Sequence, residues 1–295
     1  MKKRFFLLLG SVFLLASCAY FVSYRAHPAL KIFGEFQDVE ERNYVIPYSL
    51  NWRALYLLDN GKEEAVKNYL RWYLSHLNYP DKHGLTGTIY DYRIGFNGRE
   101  RSTGGYDSVD GYAGTFLLLV QKYYQRTKDR EFFEENRAKI EDVAYTIVYL
   151  QDRDGLIKAL PGKKAKYLMD NCEAFGGLNA FLALSQEMGW EATKGFYEKA
   201  AKSLRDSIWK NFYDRGNNNF YWAIDKTVRH KSQWKRFYPD AYAQLFPLCF
   251  GLLDGKEAVK DSLWENFNRF HRKRLGRLSV EQQIVFKLAK KYYGK

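Results

Sequence analysis

Apolar residues recur at helical spacing in a series of paired segments separated by short turns. In the first segment of a pair, for instance 115–120, nearly every position is apolar, which predicts a helix buried on all sides. In the second, for instance 131–137, charged residues interrupt the apolar ones, which predicts a helix with one face in solvent. Four pairs and one last helix are visible, at 46–58 with 63–77, 107–128 with 130–151, 170–188 with 191–212, 240–253 with 256–270, and 279–292.

The connectors between the pairs have a different pattern. Residues 80–105 are rich in glycine with alternating apolar positions, residues 156–168 are basic and extended in character, and residues 217–222 form a turn that leads into an aromatic run. These features are typical of short strands and loops. Inner and outer helices in alternation, with connectors that return to one end, predict an all-α fold. We expect an incomplete α/α toroid of about four to five hairpins, with short β connectors at one mouth.

One short motif recurs where the first helix of a pair begins. It consists of an acid, a small residue, an aromatic residue and another small residue, and it starts at Asp110, Glu173 and Asp240. Asp107 and Asp170 precede the first two copies by one helical turn, and a fainter copy without an acid starts at 51. Because every inner helix of a toroid begins at the same end, we expect the five acids to surround one mouth of the ring.

With acids and aromatic residues at these helix starts, the chain resembles the six-hairpin glycosidase superfamily over roughly residues 44–292. The nearest groups within it are the family 8 endoglucanases and the unsaturated uronyl hydrolases, and no motif selects between them. The resemblance implies cleavage of a polysaccharide by carboxylates. Since the superfamily closes its ring with six hairpins and fewer are visible here, we expect an open ring with a wide cleft.

The five acids suit a glycosidase, in which one carboxylic acid protonates the glycosidic oxygen and a second carboxylate activates water. Asp110 and Asp240 are the favoured pair, because they start different hairpins and can flank a bond, whereas Asp107 shares a helical turn with Asp110. Asp170 and Glu173 are the other candidates. The alternative is helix capping, since acids three residues apart at a helix start stabilise its free N–H groups and its dipole.

Aromatic residues on the connectors and helix starts are candidates for stacking on sugar rings. Basic residues on the same connectors, such as Lys235 and Arg236, are suited to hydrogen bonds with an acidic sugar. Packing in the core or in solvated loops is the alternative for each of them. The candidate substrate-binding residues are Trp52, Tyr92, Arg93, Tyr106, Tyr112, Trp222, Trp234 and Tyr238.

The N-terminus combines a basic start, an apolar run and small residues before Cys18, which is the pattern of an export signal. The sequence that ends at Cys18 resembles a bacterial lipobox and implies cleavage before Cys18 and lipidation of its sulfur. An uncleaved membrane anchor over 5–22 is the alternative. We therefore divide the chain into a lipoprotein signal peptide at 1–17, a tether and entry segment at 18–43, and a toroid domain at 44–295.

Composition, charge and motifs limit the partners, cofactors and reaction types that can be expected of this chain. The 295 residues are 46% hydrophobic and carry a net charge of +13. An exported protein of this charge is suited to anionic headgroups or acidic polysaccharide, and nucleic acid is not an expected partner. The histidines lack metal-ligand spacing, and neither a phosphate loop nor a serine-hydrolase elbow occurs, so no metal and no cofactor is predicted. Cys172 and Cys249 lie in apolar helical patterns, which predicts buried free thiols.

The sequence thus predicts a lipid-anchored glycoside hydrolase of the bacterial cell envelope that cleaves a polysaccharide or oligosaccharide. Both neutral and acidic saccharides are candidate substrates. The main alternative is a non-catalytic lipoprotein that binds carbohydrate or serves envelope assembly on the same scaffold. A lyase or sugar epimerase, with Tyr238 as the base, is a third hypothesis.

Overall fold

The computed structural model describes residues 27–34, 43–95 and 97–294. The predicted signal peptide and Cys18 lie outside these residues. Within the segment interpreted as a tether, Pro28–Gly34 forms a helix, α1, whose Ala29 and Ile32 are buried. This part of the segment therefore packs on the folded domain.

Three of the four predicted helix pairs, the outer helix of the fourth pair and the last helix are confirmed. Each apolar helix is followed by a more polar one, and Ser279 and Gln282 cap the last helix reciprocally. The helices after α1 are α2 Pro47–Asp59, α3 Glu63–Ser75, α4 Val109–Thr127, α5 Arg130–Tyr149, α6 Leu168–Met188, α7 Lys194–Phe212, α8 Phe246–Cys249, α9 Glu257–His271 and α10 Val280–Tyr293.

The fourth inner helix differs from the prediction. In place of one helix over 240–253, the chain forms a π-helical turn at Phe237–Ala241 and then the single-turn helix α8. Tyr238, next to Pro239, has extended backbone dihedrals, and Pro247 lies at the start of α8. Because proline lacks an N–H group and disfavours a helical residue before it, a continuous helix is interrupted here.

The inner helices close into a ring. In the described part of the chain, α2 packs on α4, α4 on α6, α6 on α8, α8 on α10, and α10 returns to α2. The all-α toroid is confirmed, with four hairpins completed by α10 as the fifth inner element. Closure by α10 replaces the open ring and wide cleft that the sequence suggested.

Glycines let the centre of this small ring close tightly. A Cβ atom on Gly177 of α6 would lie 2.5 Å from Cα of Gly114 on α4, and a Cβ atom on Gly114 would lie 2.5 Å from the carbonyl oxygen of Glu173. Real side chains do not tolerate such distances, so the backbones of α4 and α6 touch only because both positions lack a side chain. The starts of these two helices are thereby held side by side.

Short antiparallel strands connect the helices at the mouth where the inner helices begin. The strands form three small sheets, with the orders β1–β2–β3, β4–β7–β8 and β5–β6. Strand β4 leads directly into α6, and the pairing of Tyr167 with Ala223 ties it to β7. The strands are β1 Tyr44–Val45, β2 Tyr92–Ile94, β3 Glu100–Ser102, β4 Lys166–Tyr167, β5 Tyr213–Asp214, β6 Asn219–Phe220, β7 Ala223–Asp225 and β8 Val228–His230.

Cys172 and Cys249 are buried free thiols, as predicted. Among the residues that the structure describes, none of the helices has the length and apolar character needed to cross a bilayer.

Candidate active site

The adjacent starts of α4 and α6 bring four of the predicted acids together in two layers. Asp107, just before α4, is exposed, and Asp170, in the first turn of α6, is partly exposed. Asp110 and Glu173 lie one turn further into the ring, with 0% and 1% of their surface exposed. A ligand at the mouth therefore meets Asp107 and Asp170 first, and the other two acids lie beneath them.

Like charges and burial raise the pKa values of this cluster. Burial and the charge of Asp107 raise the pKa of Asp170 to about 7. Burial and the charge of Asp170 raise the pKa of Asp110 well above its usual range, and burial with the charges of Asp170 and Asp110 does the same for Glu173. Carboxyl groups that share one desolvated site cannot all ionise. Near neutral pH the cluster therefore holds protons that it can donate.

Hydrogen bonds fix the inner layer. Tyr48, at the start of α2, donates its hydroxyl to Oε1 of Glu173 at 2.7 Å. Oε2 of Glu173 lies against Gly111, where a Cβ atom would be 3.1 Å away. Oδ1 of Asp110 accepts the N–H of Gly111 at 3.0 Å, whereas its Oδ2 is buried without a hydrogen-bond partner. A protonated Asp110 is consistent with this arrangement, because an unpartnered buried carboxylate oxygen is costly when charged.

Aromatic side chains form a wall beside the acids. Tyr238 is 60% exposed, and Tyr167 and Trp222 are partly exposed and stack with ring centroids 6.5 Å apart. Tyr167 directly precedes α6, which carries Asp170 in its first turn, and burial followed by the charges of Asp170 and Asp107 raises the pKa values of Tyr167 and Tyr238. The wall and the outer acids thus border the same accessible space.

No family profile matches the chain, and no curated protein matches it. Among solved structures, it is similar to a rhamnosidase from Klebsiella oxytoca with rhamnose bound, with 10% identity, a TM-score of 0.57, and coverage of 93% of this chain and 56% of that one. This chain thus spans little more than half the length of the rhamnosidase. The fold is that of α/α-toroid glycosidases.

Two further glycosidases share the toroid. A GH76 α-mannanase from Bacteroides thetaiotaomicron has 12% identity and a TM-score of 0.54, over 93% of this chain and 82% of that one. A glycosidase in complex with glucose has 14% identity and a TM-score of 0.54, over 84% of this chain and 70% of that one. At such identities the likeness establishes the toroid fold alone, and the chemistry has to be argued from the site.

Asp240 is held differently from the other acids of the toroid. It is 1% exposed, its Oδ1 accepts the N–H of Gln233 at 3.0 Å, and its Oδ2 lies 3.3 Å from Nε of Arg236 without the geometry of a hydrogen bond. These contacts connect Asp240 to the loop that precedes it. The charges that act on Asp110, Asp170 and Glu173 come from Asp107 and from one another, and Asp240 is not among them.

Most of the predicted substrate-binding residues at 52–112 are packed into the toroid. Trp52, Tyr92 and Tyr112 are buried, which leaves their ring faces unavailable to a sugar. Tyr106 is partly buried and donates its hydroxyl to Asp81 at 2.6 Å, and Arg93 lies over a tyrosine ring of its own sheet, 5.0 Å from the centroid. Helix starts favour aromatic residues for packing as well as for binding, and here packing explains them.

Of the predicted aromatic residues beyond 200, two lie at the mouth. Trp222 and Tyr238 belong to the wall beside the acids, whereas Trp234 is partly buried and its carbonyl accepts a hydrogen bond from His271 at 2.6 Å. Trp234 is thereby held against the last residue of α9, away from the wall.

Sequence reasoning missed three residues that belong to the site. They are Tyr48, Tyr167 and Asp91, and Asp91 accepts hydrogen bonds from Tyr112 at 2.9 Å and Tyr44 at 3.1 Å. Burial and, to a smaller extent, the charge of Asp107 raise the pKa of Asp91. The two hydrogen bonds lower it, and the net shift is upward. Tyr48 follows a proline at the start of α2, and Tyr167 directly precedes the start of α6. These two positions at helix starts were the sequence signals that could have identified the tyrosines.

The described residues contain no cluster of three or more His, Cys, Asp or Glu side chains arranged to hold a metal ion.

Proposed function

We propose that this chain is a glycoside hydrolase in which Asp170 is the general acid and Asp107 the general base. The observation that carries the proposal is the position of Asp170 and Asp107 at the adjacent starts of α6 and α4, where both reach solvent above the buried Asp110 and Glu173. Burial and the charge of Asp107 also raise the pKa of Asp170 to about 7. A general acid must hold its proton near the working pH, and its partner must not. The exposed position of Asp107 at the same mouth suits an ionised carboxylate that contacts water.

In this mechanism, Asp170 donates its proton to the glycosidic oxygen as the bond to the anomeric carbon breaks. Asp107 removes a proton from the water that attacks the opposite face of the sugar, so that the products carry the inverted configuration. Asp110 and Glu173 do not touch the substrate. They lie beneath Asp170, where burial and the charge of Asp170 raise their own pKa values, so both hold their protons near neutral pH.

A neutral saccharide suits the mouth better than an acidic one. Tyr167, Trp222 and Tyr238 offer ring faces for stacking, and the surrounding carboxylates repel a uronate. Arg236, which was expected to bind an acidic group, lies against Asp240. The glycosidases with rhamnose and with glucose bound support a carbohydrate ligand on this fold.

Incubation of the purified protein with neutral and acidic oligosaccharides tests the proposal. We expect reducing ends from a neutral substrate, and Asp170→Asn and Asp107→Asn should each reduce kcat about 10²–10⁴-fold. Asp206→Asn is the matched control, because its carboxylate is exposed on the outer helix α7. NMR of the first product reports its anomeric configuration. Full activity in both site variants would contradict the proposal.

A non-catalytic carbohydrate-binding protein is the second candidate. It is favoured by the complete burial of Asp110 and Glu173, which leaves two of the four clustered acids accessible to a substrate. Oligosaccharide binding without products, unchanged in Asp170→Asn, would establish it. The lyase or epimerase hypothesis is weaker, because burial and the charges of Asp170 and Asp107 raise the pKa of Tyr238 and oppose its action as a base.

The proposed location is the bacterial cell envelope, with a lipid anchor on Cys18. Its support is the signal pattern at 1–17 and the basic net charge of +13, which suits an anionic membrane surface. Labelling with radioactive palmitate in a bacterial host tests the anchor. Label that is lost in Cys18→Ala, together with release of this variant into the soluble fraction, is the expected result.

A further inference from the structure

A cavity of about 170 Å³ opens between α2, α4 and α10, at the end of the ring where these helices finish. Its inner surface is apolar and includes Trp52, Leu118 and Leu288. It is remote from the acids at the mouth, because Tyr48 and Asp110 lie in the first turns of α2 and α4, whereas the cavity is lined by later turns. The proposed hydrolase chemistry gives this cavity no role.

Three lysines, Lys122, Lys287 and Lys291, surround the opening of this apolar cavity. Among the described residues, none of these three lysines forms an ion pair. Asp59 is the single acid among the residues that line the cavity. Burial and the charge of Lys291 lower the pKa of Lys122, whereas Asp59 raises it, with a net downward shift. Positive charge is therefore in excess over an apolar surface.

Stabilisation of helix ends does not account for all three lysines. Lys291 lies in the last turn of α10, where a cation offsets the helix dipole. Lys122 and Lys287 lie more than one turn before the ends of α4 and α10, at Thr127 and Tyr293, and the dipole effect declines within the last turn. Lys287 also covers the ring of Tyr56, with its Nζ atom 4.9 Å from the centroid.

We propose that this cavity binds an amphipathic monoanion, namely a carboxylate attached to an apolar group of about six carbons. The size follows from the volume, because a protein cavity of about 150 Å³ is known to hold benzene. The apolar group would occupy the space beside Trp52 and Leu118, and the carboxylate would lie among the three lysines.

Calorimetric titration of the full-length protein with hexanoate tests this site. We expect hexanoate to bind with a Kd of about 1 mM or tighter, and at least about tenfold more tightly than hexan-1-ol, acetate or hexylammonium. Hexan-1-ol lacks the charge, acetate lacks the chain, and hexylammonium reverses the sign. Equal binding of hexanoate and hexylammonium, or no heat with hexanoate at 10 mM, about ten times the expected Kd, would overturn the proposal.

Lysine variants locate the binding. Lys122→Gln and Lys291→Gln should each weaken hexanoate binding by about three- to tenfold, in line with the loss of one charge-assisted hydrogen bond. Both side chains reach solvent, so these variants leave the apolar core intact. Lys210→Gln, on the exposed face of α7, is the matched control and should bind as the unmodified protein does. If affinity is unchanged in both cavity variants, hexanoate binds elsewhere and the assignment fails.

Discussion

Replacing Asp170 by asparagine is expected to stabilise the protein at neutral and alkaline pH, although it removes the proposed general acid. Burial and the charge of Asp107 raise the pKa of Asp170 to about 7, so the folded state holds a proton that the unfolded chain releases at lower pH. The stability that this proton brings is fully present below the ordinary pKa of 3.8 and is lost as the pH rises through about 7. Asparagine has a similar shape and never ionises.

The size of the effect follows from the pKa difference. Between pH 3.8 and about 7 the folded state binds up to one more proton than the unfolded state, so the free energy of unfolding falls by about 1.4 kcal/mol per pH unit. The whole interval gives about 4 kcal/mol, and solvent screening of the partly exposed side chain reduces it. We expect Asp170→Asn to be about 2–4 kcal/mol more stable than the unmodified protein at pH 8 and equal to it near pH 4.

Urea unfolding followed by circular dichroism, at intervals from pH 4 to 8, measures this difference directly. Asp206→Asn should give the same stability as the unmodified protein at every pH, since its exposed ion pair contributes little. Loss of the Asp170 charge also lowers the pKa values of Asp110 and Glu173, which acts in the same direction. Equal stabilities at pH 8, or an advantage that does not vary with pH, would refute the reasoning.

Three further substitutions test the packing and the hydrogen bonds. Gly177→Ala should destabilise the protein by about 1–3 kcal/mol or more, because the new Cβ atom would lie 2.5 Å from the backbone of α4. Tyr48→Phe should cost about 1–3 kcal/mol in urea unfolding, since it removes the 2.7 Å hydrogen bond to buried Glu173. Glu100→Gln should cost about 1.5–3 kcal/mol at pH 6, where Glu100 bonds two histidines and accepts the indole N–H of a tryptophan at 2.8 Å.

Each of these has its own control. In Gly195→Ala on α7, the new Cβ atom would have no other atom within 4 Å, so this variant should be as stable as the unmodified protein or slightly more stable. Equal effects of Gly195→Ala and Gly177→Ala on stability would contradict close packing of α4 and α6. Tyr145→Phe, at an exposed ring, should leave stability unchanged where Tyr48→Phe does not. The effect of Glu100→Gln should shrink by pH 9. Burial lowers the pKa of His76, Glu100 and the carbonyl of Trp72 raise it, and the net shift is upward. As the pH rises through this raised pKa, His76 loses its proton and the ion pair with Glu100 is lost.

The sequence was informative wherever the signal is local. Helix pairs follow from the spacing of apolar residues, and the capping pair at Ser279 and Gln282 follows from one turn of chain. The acids at the helix starts were found for the same reason. The break before α8 carried a local signal too, in Pro239 and Pro247, which the apolar periodicity obscured.

The sequence by itself determined the helices other than the fourth inner one, their alternation of buried and half-exposed faces, and therefore the toroid. The tertiary structure decided that five inner elements close the ring, that Asp110 and Glu173 are buried, and that Asp107 acts on Asp170 while Asp240 lies against Arg236. Burial and pKa depend on every neighbour within a few ångströms, whatever its position in the chain. Those neighbours come from segments tens of residues apart, and the periodicity of one segment carries no information about them.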